Sequence, residues 1–168
     1  MTHEADQPWD RDAWDIDPDS VALTLAVLTP HSSGAIMREA FYGTRRFDDF
    51  LRRTGMSPGV LSARLRDLVA QELLVKVPYK EPGSRERAEY RLTDRGRELV
   101  PTMVAMIGWA DRWLTGDRGP TMSLRHSGCG APVEAVLRCG HGHEIHAPRE
   151  IVASPGPGAR NIRAAKLP

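Results

Sequence analysis

Apolar side chains recur every three or four positions in the middle of the chain, a spacing typical of an α-helix with one packed face. Leu61, Leu65 and Leu68 form this apolar stripe, whereas small residues and arginine occupy the opposite side. Ser57 offers an N-cap oxygen, and Pro58 fits the first helical position, where its missing N–H costs nothing. The pattern predicts a helix that packs one face and leaves the other free.

Shorter helices are predicted before this one. A helix over residues 47–54 ends at Gly55, which can take the left-handed conformation that redirects a chain without a side-chain clash. Further upstream, the apolar spacing predicts one helix that ends at Pro30 and a second that stops at Gly43. Two helices joined by a tight turn, the second one edged with arginine, are typical of an element that reads DNA.

A pair of short strands is predicted after the capped helix. Residues 74–77 and residues 90–92 read as strands, and the polar loop over residues 78–89 joins them. The loop contains bases and acids together, so its tip is charged but not purely basic. This order of elements is that of a winged helix-turn-helix, whose second helix enters the major groove while the hairpin, or wing, touches the flanking backbone.

This interpretation predicts ten DNA-contacting residues: Arg45, Arg46, Ser57, Gly59, Ser62, Arg64, Arg66, Lys80, Arg85 and Arg87. Four of them lie on the free face of the helix from residue 57 to residue 71 and are expected to face base edges: Ser57, Gly59, Ser62 and Arg66. Arg45, Arg46 and Arg64 are better candidates for phosphate, and the other three anchor the wing. A solvated surface helix, or a winged helix that binds a partner protein instead of DNA, would show a similar local pattern.

The same stretches resemble the HxlR-type bacterial transcription regulators. The resemblance covers about residues 19–115 and rests on residues 38–50 (REAFYGTRRFDDF), 57–68 and 90–96. It implies a homodimeric winged-helix regulator that binds double-stranded DNA, usually a repressor whose DNA affinity is altered by a small molecule or by oxidation. Many members have a redox-active cysteine before the first helix and a Gly-Gly-Lys-Trp-like turn after it. This chain has Asp19 and the run Thr29 to Ser32 instead, so thiol sensing by that route is absent.

A long helix is predicted after the wing, from a cap at Thr93 to about residue 114. Two apolar stripes run along it and expose more apolar surface than one small domain covers. We therefore expect a homodimer, which would also match the reading of DNA half-sites by two-fold related modules. A monomer that buries both stripes internally is the alternative. Pro101 is expected to bend this helix.

Five side chains of the long helix are candidates for an effector pocket: Met103, Met106, Ile107, Trp109 and Trp113. Methionine and tryptophan offer adaptable, flat surfaces to a small aromatic or apolar effector. The same residue types are also ordinary in the core of a dimer, which is the alternative interpretation.

Charge is distributed unevenly along the 168 residues, whose formal net charge is +1. Residues 1–20 contain seven acids and one base, whereas residues 45–91 contain eleven bases and seven acids, a local charge of +4. No run approaches the ~20 apolar residues that cross a bilayer, and the acidic amino terminus is unlike a secretory signal. The sequence therefore predicts a cytoplasmic protein without a membrane partner, and the local charge favours nucleic acid.

Cysteine and histidine cluster near the carboxyl end, where five residues are candidate metal ligands: His126, Cys129, Cys139, His141 and His143. The first two have an H-x-x-C spacing, and a strand-like stretch separates them from the last three. Zinc favours thiolate and imidazole ligands from two such turns and would stabilise a hairpin that has little core. The fourth ligand is either His141 or His143. A metal-free dimerising hairpin and a disordered tail are the alternatives.

The expected fold class is α+β and mainly α: a winged helix-turn-helix with a long C-terminal dimerisation helix and a small β-hairpin appendage. Four segments are predicted: an acidic flexible segment (1–18), the DNA-binding and dimerisation domain (19–116), the Cys/His-containing appendage (117–153) and a flexible basic tail (154–168). An enzyme built on the cysteine and histidine cluster is disfavoured, because Glu144 and Glu150 are the only nearby carboxylates after the second cysteine and neither has a recognisable spacing.

Overall fold

Six α-helices and four β-strands form in the part of the chain that the computed structural model describes, residues 10–29, 31–80 and 87–163. In chain order these elements are β1 (Trp14–Asp15), α1 (Ser20–Leu28), α2 (His31–Phe41), α3 (Phe47–Thr54), α4 (Pro58–Ala70), β2 (Leu74–Tyr79), β3 (Arg87–Leu92), α5 (Asp94–Glu98), α6 (Val100–Trp113) and β4 (Arg160–Asn161). They belong to two compact units. The larger unit covers residues 25–135, and the smaller unit combines residues 1–24 with residues 136–168.

The apolar stripe of α4 lies in the core of the larger unit. Leu61 and Leu65 are 0% exposed and Leu68 is 1% exposed, and they share one cluster with Ile36 of α2 and Phe50 of α3. Full burial of a leucine side chain is worth about 1.5–3 kcal/mol, so this stripe alone holds α4 against the two helices before it. The helix predicted from the spacing is confirmed.

A buried carboxylate joins α2 to α3. Glu39, which is 7% exposed, accepts hydrogen bonds from the Thr44 hydroxyl at 3.2 Å and from the Arg38 guanidinium at 3.0 Å. Arg53 of α3 donates to the Thr44 Oγ1 at 2.6 Å and lies 3.9 Å from the Glu39 Oε2. A buried carboxylate costs free energy unless it is paired, so these contacts hold the segment that leads into α3 in one conformation.

β2 and β3 form the antiparallel hairpin that the sequence predicted, with Leu74 opposite Leu92 at its base. The segment before α3 joins this hairpin, because the Tyr90 N–H donates to the Arg45 carbonyl oxygen at 2.8 Å. The Tyr90 ring also meets the Phe50 ring edge-on, with the centroids 6.4 Å apart. The hairpin is therefore tied to α3 through both backbone and core.

The single long helix predicted after the hairpin is two helices in the structure. Thr93 caps α5 as predicted, by accepting a hydrogen bond from the Gly96 N–H at 3.0 Å. The chain then breaks at Leu99, and α6 continues for 14 residues. Pro101 lies in the first turn of α6, where its missing N–H leaves no hydrogen bond unmade, so it starts a helix here instead of bending one.

The two chain ends pair with each other in the smaller unit. Trp14 of β1 lies opposite Asn161 of β4, and Arg160 forms an ion pair with Asp15. The Asp15 carboxylate also accepts a hydrogen bond from the Asp17 N–H at 3.1 Å. The Asp17 N–H and the Arg160 guanidinium together hold the pKa of Asp15 below its ordinary value of 3.8.

The described parts of these ends differ from the flexible segments predicted over residues 1–18 and 154–168. Beyond the strand pair, Arg163 forms an ion pair with Asp10, and the Ile162 N–H donates to the Ala13 carbonyl oxygen at 2.9 Å. The physical reason is that the acidic start and the basic end of the chain have complementary charges, a relation that neither segment reveals alone.

The predicted appendage over residues 117–153 does not form one β-hairpin. It contains two separate turns, closed by isolated bridges between Arg125 and Pro132 and between Arg138 and Glu144. Each turn makes its own backbone hydrogen bonds. The described residues between the two turns do not form the expected strand. The first turn belongs to the larger unit and the second to the smaller one, so the division falls between the turns and not before them.

Helix length bears on the predicted absence of a membrane partner. A helix needs ~20 apolar residues to cross the hydrocarbon layer of a bilayer. Within the described residues, no single helix is long and apolar enough to cross a membrane, and only the bent pair α1 and α2 reaches the required length and composition when taken together.

Gly96 is predicted to be essential to the packing of α5 against the Leu73 backbone, just before β2. A Cβ at this position would lie 2.2 Å from the Leu73 carbonyl oxygen, which is itself fixed by the Thr93 N–H at 3.1 Å. Gly96→Ala is therefore expected to lower the free energy of unfolding by about 1–3 kcal/mol. Urea denaturation followed by circular dichroism measures this loss.

Gly59→Ala is the matched control, because nothing lies within 4 Å of a Cβ built at Gly59. Alanine in a helix is favoured over glycine by up to ~1 kcal/mol, so this variant is expected to be at least as stable as the natural chain. Equal unfolding free energies for Gly96→Ala and the natural chain would contradict the packing argument.

Candidate nucleic-acid interface

The chain enters α4 through a turn at Gly55 and an N-cap at Ser57, and each is closed by a hydrogen bond. Gly55 ends α3 with φ at +67°, the left-handed region that glycine tolerates best, and its N–H donates to the Leu51 carbonyl oxygen at 3.0 Å. Ser57 then caps α4 by accepting a hydrogen bond from the Val60 N–H at 3.4 Å. Both features were predicted from the sequence, and both are confirmed.

The exposed side of α4 carries the residues predicted to face base edges. Ser57, Gly59, Ser62 and Arg66 are all exposed. The first three are small and allow a close approach to the helix, while the Arg66 guanidinium forms no hydrogen bond or ion pair with any described residue. An arginine with all its donors available can contact guanine through two parallel hydrogen bonds.

Arg64 lies in a different environment from Arg66. Its guanidinium forms an ion pair with the Asp67 carboxylate at 2.8 Å, one turn further along α4. Both side chains are partly exposed, so this pair is weak in water and can be exchanged. A phosphate contact by Arg64 therefore requires that the phosphate replace Asp67 as its partner.

The two arginines before α3 are held beside the hairpin. Arg45 and Arg46 are both exposed, and the Arg46 guanidinium lies 5.0 Å from the centre of the Tyr79 ring. A cation over an aromatic face is attracted by the ring quadrupole, which orients the side chain. Both arginines were predicted from the sequence, but the aromatic partner of Arg46 was not, because Tyr79 is distant along the chain.

The predicted wing residues are only partly described. Lys80 is exposed at the end of β2, and Arg87 begins β3, with its guanidinium 3.7 Å from the Asp48 carboxylate. Arg85 lies outside the described residues. The described part of the wing therefore supplies two exposed cations, one of which has an acidic neighbour.

A basic concavity of about 410 Å³ lies between the start of α3 and the outer part of the hairpin. Arg46, Lys76 and Arg87 line it together with Tyr79, and Asp48 is the one acidic residue among the described residues of its wall. Lys76 was not predicted as a site residue, although it lies within the segment of local positive charge. The only sequence signal was its position in a predicted strand. The neighbours of that position can be identified only once the register between β2 and β3 is known.

Tyr90 closes the same concavity from β3. Its half-buried phenol is partly removed from water, which raises the pKa of Tyr90 above its ordinary value of 10.0. The phenol is therefore neutral at physiological pH and adds no negative charge to the concavity. The site keeps its positive character.

The residues predicted to line an effector pocket do not share one environment. Met103 is 8% exposed and belongs to the core cluster, so it is not available to a pocket on the outer face of α6. Met106, Trp109 and Trp113 are 52%, 58% and 66% exposed, and Ile107 is intermediate. The five residues are therefore divided between the core and the surface. An effector pocket stays a prediction for those that lie at the surface.

The candidate metal ligands form two pairs. The His126 Nδ1 lies 3.3 Å from the Cys129 Sγ, and the Cys139 Sγ lies 3.6 Å from the His143 Nδ1. His143, and not His141, is thus the partner of Cys139. Among the described residues, no group of three or more histidine, cysteine, aspartate or glutamate side chains is arranged to hold a metal ion. Zinc binding stays a prediction.

A capped helix with an outward arginine face, preceded by a tight turn and flanked by a basic hairpin, defines a winged helix-turn-helix DNA-binding module. The HxlR-like helix-turn-helix family matches residues 27–118 of this chain. The chain therefore belongs to the HxlR-like helix-turn-helix family and is a DNA-binding transcriptional regulator, as the sequence resemblance implied. This family is one of transcriptional regulators and not a class of enzymes.

Individual relatives extend the similarity beyond that module. The uncharacterized HTH-type transcriptional regulator Rv3095 of Mycobacterium tuberculosis is 41% identical over 141 residues, which cover 83% of this chain and 87% of that protein. The structure of PA1607, described as a candidate transcription factor, is similar with a TM-score of 0.72 and 34% identity over 84% of this chain and 97% of that one. PA1374 from Pseudomonas aeruginosa, described in the same way, gives a TM-score of 0.58 and 28% identity, covering 88% of this chain and 99% of that one.

Tyr90 is predicted to contribute to the loss of stability at alkaline pH. Because its pKa is raised in the folded chain, the unfolded chain releases this proton first. The stabilisation is therefore complete below the unfolded value of 10.0 and is lost as pH rises through the higher folded value. In Tyr90→Phe, the unfolding free energy should fall less steeply above pH 10.0, which urea denaturation at a series of pH values measures. Parallel pH profiles for the two proteins would argue against this role.

Proposed function

We propose that the chain is a cytoplasmic, homodimeric repressor that binds operator half-sites with α4 in the major groove and the hairpin on the flanking backbone. The observation that carries this proposal is the contrast between the two sides of α4. Three leucines on one side are fully buried. On the other side, Arg66 lies near the small residues Gly59 and Ser62 and forms no hydrogen bond or ion pair with any described residue. A helix anchored in this way offers its polar side to DNA at a constant orientation.

The cations around the hairpin are proposed to hold phosphates. Arg46, Lys76 and Arg87 converge on the basic concavity, where Asp48 offsets only part of their charge. Phosphate contacts supply affinity and orientation but carry little sequence information. The proposed interface therefore divides into a helix that sets specificity and a hairpin that sets affinity.

The outer face of α6 is proposed to pair with the same face of a second copy. Met106, Trp109 and Trp113 follow one another at spacings of three and four, and each is more than half exposed. Exposed apolar surface of this kind on one helix favours an interface. A two-fold dimer presents two copies of α4 to half-sites about 34–36 Å apart. A small apolar effector bound between the two α6 helices would change the distance between the two copies of α4.

Repression is proposed because it is the usual action of the regulators that this chain resembles, and because a dimer bound over a promoter blocks access to it. A second candidate, a winged helix that binds a partner protein, is favoured by the low formal net charge of +1. Salt dependence separates the two, since DNA binding releases counterions from phosphates and weakens steeply as ionic strength rises.

Arg66→Ala is expected to cost about 1–3 kcal/mol of DNA-binding free energy and to relax specificity at one base pair, because it removes a bidentate donor from the reading face. Selection of bound sequences from a random DNA pool measures the specificity. Fluorescence anisotropy with the selected operator then measures the affinity. Unchanged affinity and an unchanged sequence pattern would remove Arg66 from the proposed interface.

Two other arginine variants make this experiment specific. Arg87→Ala is expected to weaken binding to all sequences alike and to lower the salt dependence, because it removes a phosphate contact. Arg118→Ala is the matched control, since this exposed arginine follows α6 and lies outside both α4 and the hairpin. Binding by the natural chain that does not change with salt would favour the protein-interaction candidate.

Trp113→Glu is expected to break the proposed dimer, because it places a carboxylate where an apolar ring meets the second copy. Loss of a central aromatic contact costs ~2 kcal/mol or more, which raises the dimer dissociation constant about 30-fold. Sedimentation velocity over a range of protein concentrations measures this constant.

Met122→Glu is the matched control for the dimer test. Met122 is 50% exposed, like the α6 residues, but lies after the end of that helix. This variant is expected to sediment like the natural chain. A Trp113→Glu protein that remains dimeric at the same concentrations would show that α6 does not form the interface.

A further inference from the structure

Two short turns near the carboxyl end each hold a cysteine sulfur against a histidine ring nitrogen. In the first turn, the His126 Nδ1 and the Cys129 Sγ are 3.3 Å apart. In the second turn, the Cys139 Sγ and the His143 Nδ1 are 3.6 Å apart. Neither turn is part of α4 or the hairpin, so the proposed DNA contacts give these pairs no role.

The separation within each pair is suited to zinc. A tetrahedral zinc ion binds thiolate sulfur at about 2.3 Å and imidazole nitrogen at about 2.0–2.1 Å, which places two such ligands about 3.6 Å from each other. The pair of Cys139 and His143 has this separation, and the pair of His126 and Cys129 is shorter by about 0.3 Å. Each pair therefore matches one edge of a zinc coordination tetrahedron.

The backbone closes both turns in a similar way. The Gly130 N–H donates to the His126 carbonyl oxygen at 2.8 Å, and the Gly142 N–H donates to the Cys139 carbonyl oxygen at 2.9 Å. These two glycines have φ at +74° and +85°, the left-handed conformation that brings the ends of such a turn together. Each pair of side chains thus projects from a closed turn and not from a loose segment.

Gly128 in the first turn leaves room for the imidazole ring of His126. A Cβ built at Gly128 would lie 2.9 Å from the His126 Cε1, so a larger residue there would displace the ring. Glycine at this position allows the ring to lie along the turn with its Nδ1 directed at Cys129. The local sequence therefore favours this arrangement of nitrogen and sulfur.

We propose that each turn is a two-ligand half-site for Zn²⁺, formed by His126 with Cys129 and by Cys139 with His143. Zinc takes four ligands in a structural site, and each half-site supplies two of them. The turns contain few buried apolar side chains, and a bound metal would supply stability that a core does not. Zinc binding does not depend on the DNA contacts proposed above, so either can fail without the other.

The test measures zinc in the full-length chain by plasma mass spectrometry, followed by replacement of the metal with Co²⁺. The natural chain is expected to hold zinc and, with Co²⁺, to show the near-ultraviolet absorption of a thiolate-to-cobalt transition. Cys129→Ser, Cys139→Ser and His143→Ala are each expected to weaken zinc binding at least about tenfold. Circular dichroism and DNA binding show whether each variant keeps its fold.

His141→Ala is the matched control, because His141 shares the second turn but His143 is the residue that faces Cys139. This variant is expected to bind zinc as the natural chain does. A natural chain without zinc and without the cobalt–thiolate absorption would overturn the proposal. Cys129→Ser or Cys139→Ser with unchanged zinc affinity would overturn it for that turn, and loss of zinc in His141→Ala alone would overturn the assignment of His143.

Discussion

The burial of three leucines on α4 is the interaction on which the orientation of this helix depends. Leu61, Leu65 and Leu68 have almost no exposed surface and lie in one cluster with residues from α2 and α3. Truncating one such leucine to alanine typically costs about 2–5 kcal/mol, a large part of the 5–15 kcal/mol that stabilises an ordinary small domain. The orientation of Arg66 on the opposite side of α4 is a consequence of this packing, because a helix with one side fixed in the core cannot turn about its axis.

A second set of contacts places the cations of the hairpin near the start of α3. The hydrogen bond from the Tyr90 N–H to the Arg45 carbonyl oxygen ties the segment before α3 to β3, and the paired carboxylate of Glu39 holds the same segment from the α2 side. Arg46 and Lys76 consequently reach one concavity although 30 positions separate them in the sequence. In the proposed interface, specificity therefore comes from α4 and affinity from the hairpin, so a substitution in one element is expected to leave the other in place.

The elements that sequence analysis identified correctly are those whose causes lie within a few residues. The left-handed turn at Gly55, the cap at Ser57 and the leucine spacing of α4 each depend on neighbouring positions, and all were found. The prediction that Pro101 bends a long helix was wrong, because proline in the first turn of a helix leaves no hydrogen bond unmade, unlike proline in its interior. A local rule was sufficient to expect a disturbance there but not to locate the helix boundary.

By itself, therefore, the sequence determined helices α1 to α4, the hairpin and the family, because periodicity, capping and turn chemistry are properties of short segments. Only the tertiary structure decided which residues meet across long separations. It brought Lys76 to the basic concavity, turned Met103 into the core while Trp113 stayed outside, and paired Asp15 with Arg160 at the two ends of the chain. Such contacts depend on how whole elements pack, and a pattern along one segment carries no information about the partner that folding brings to it.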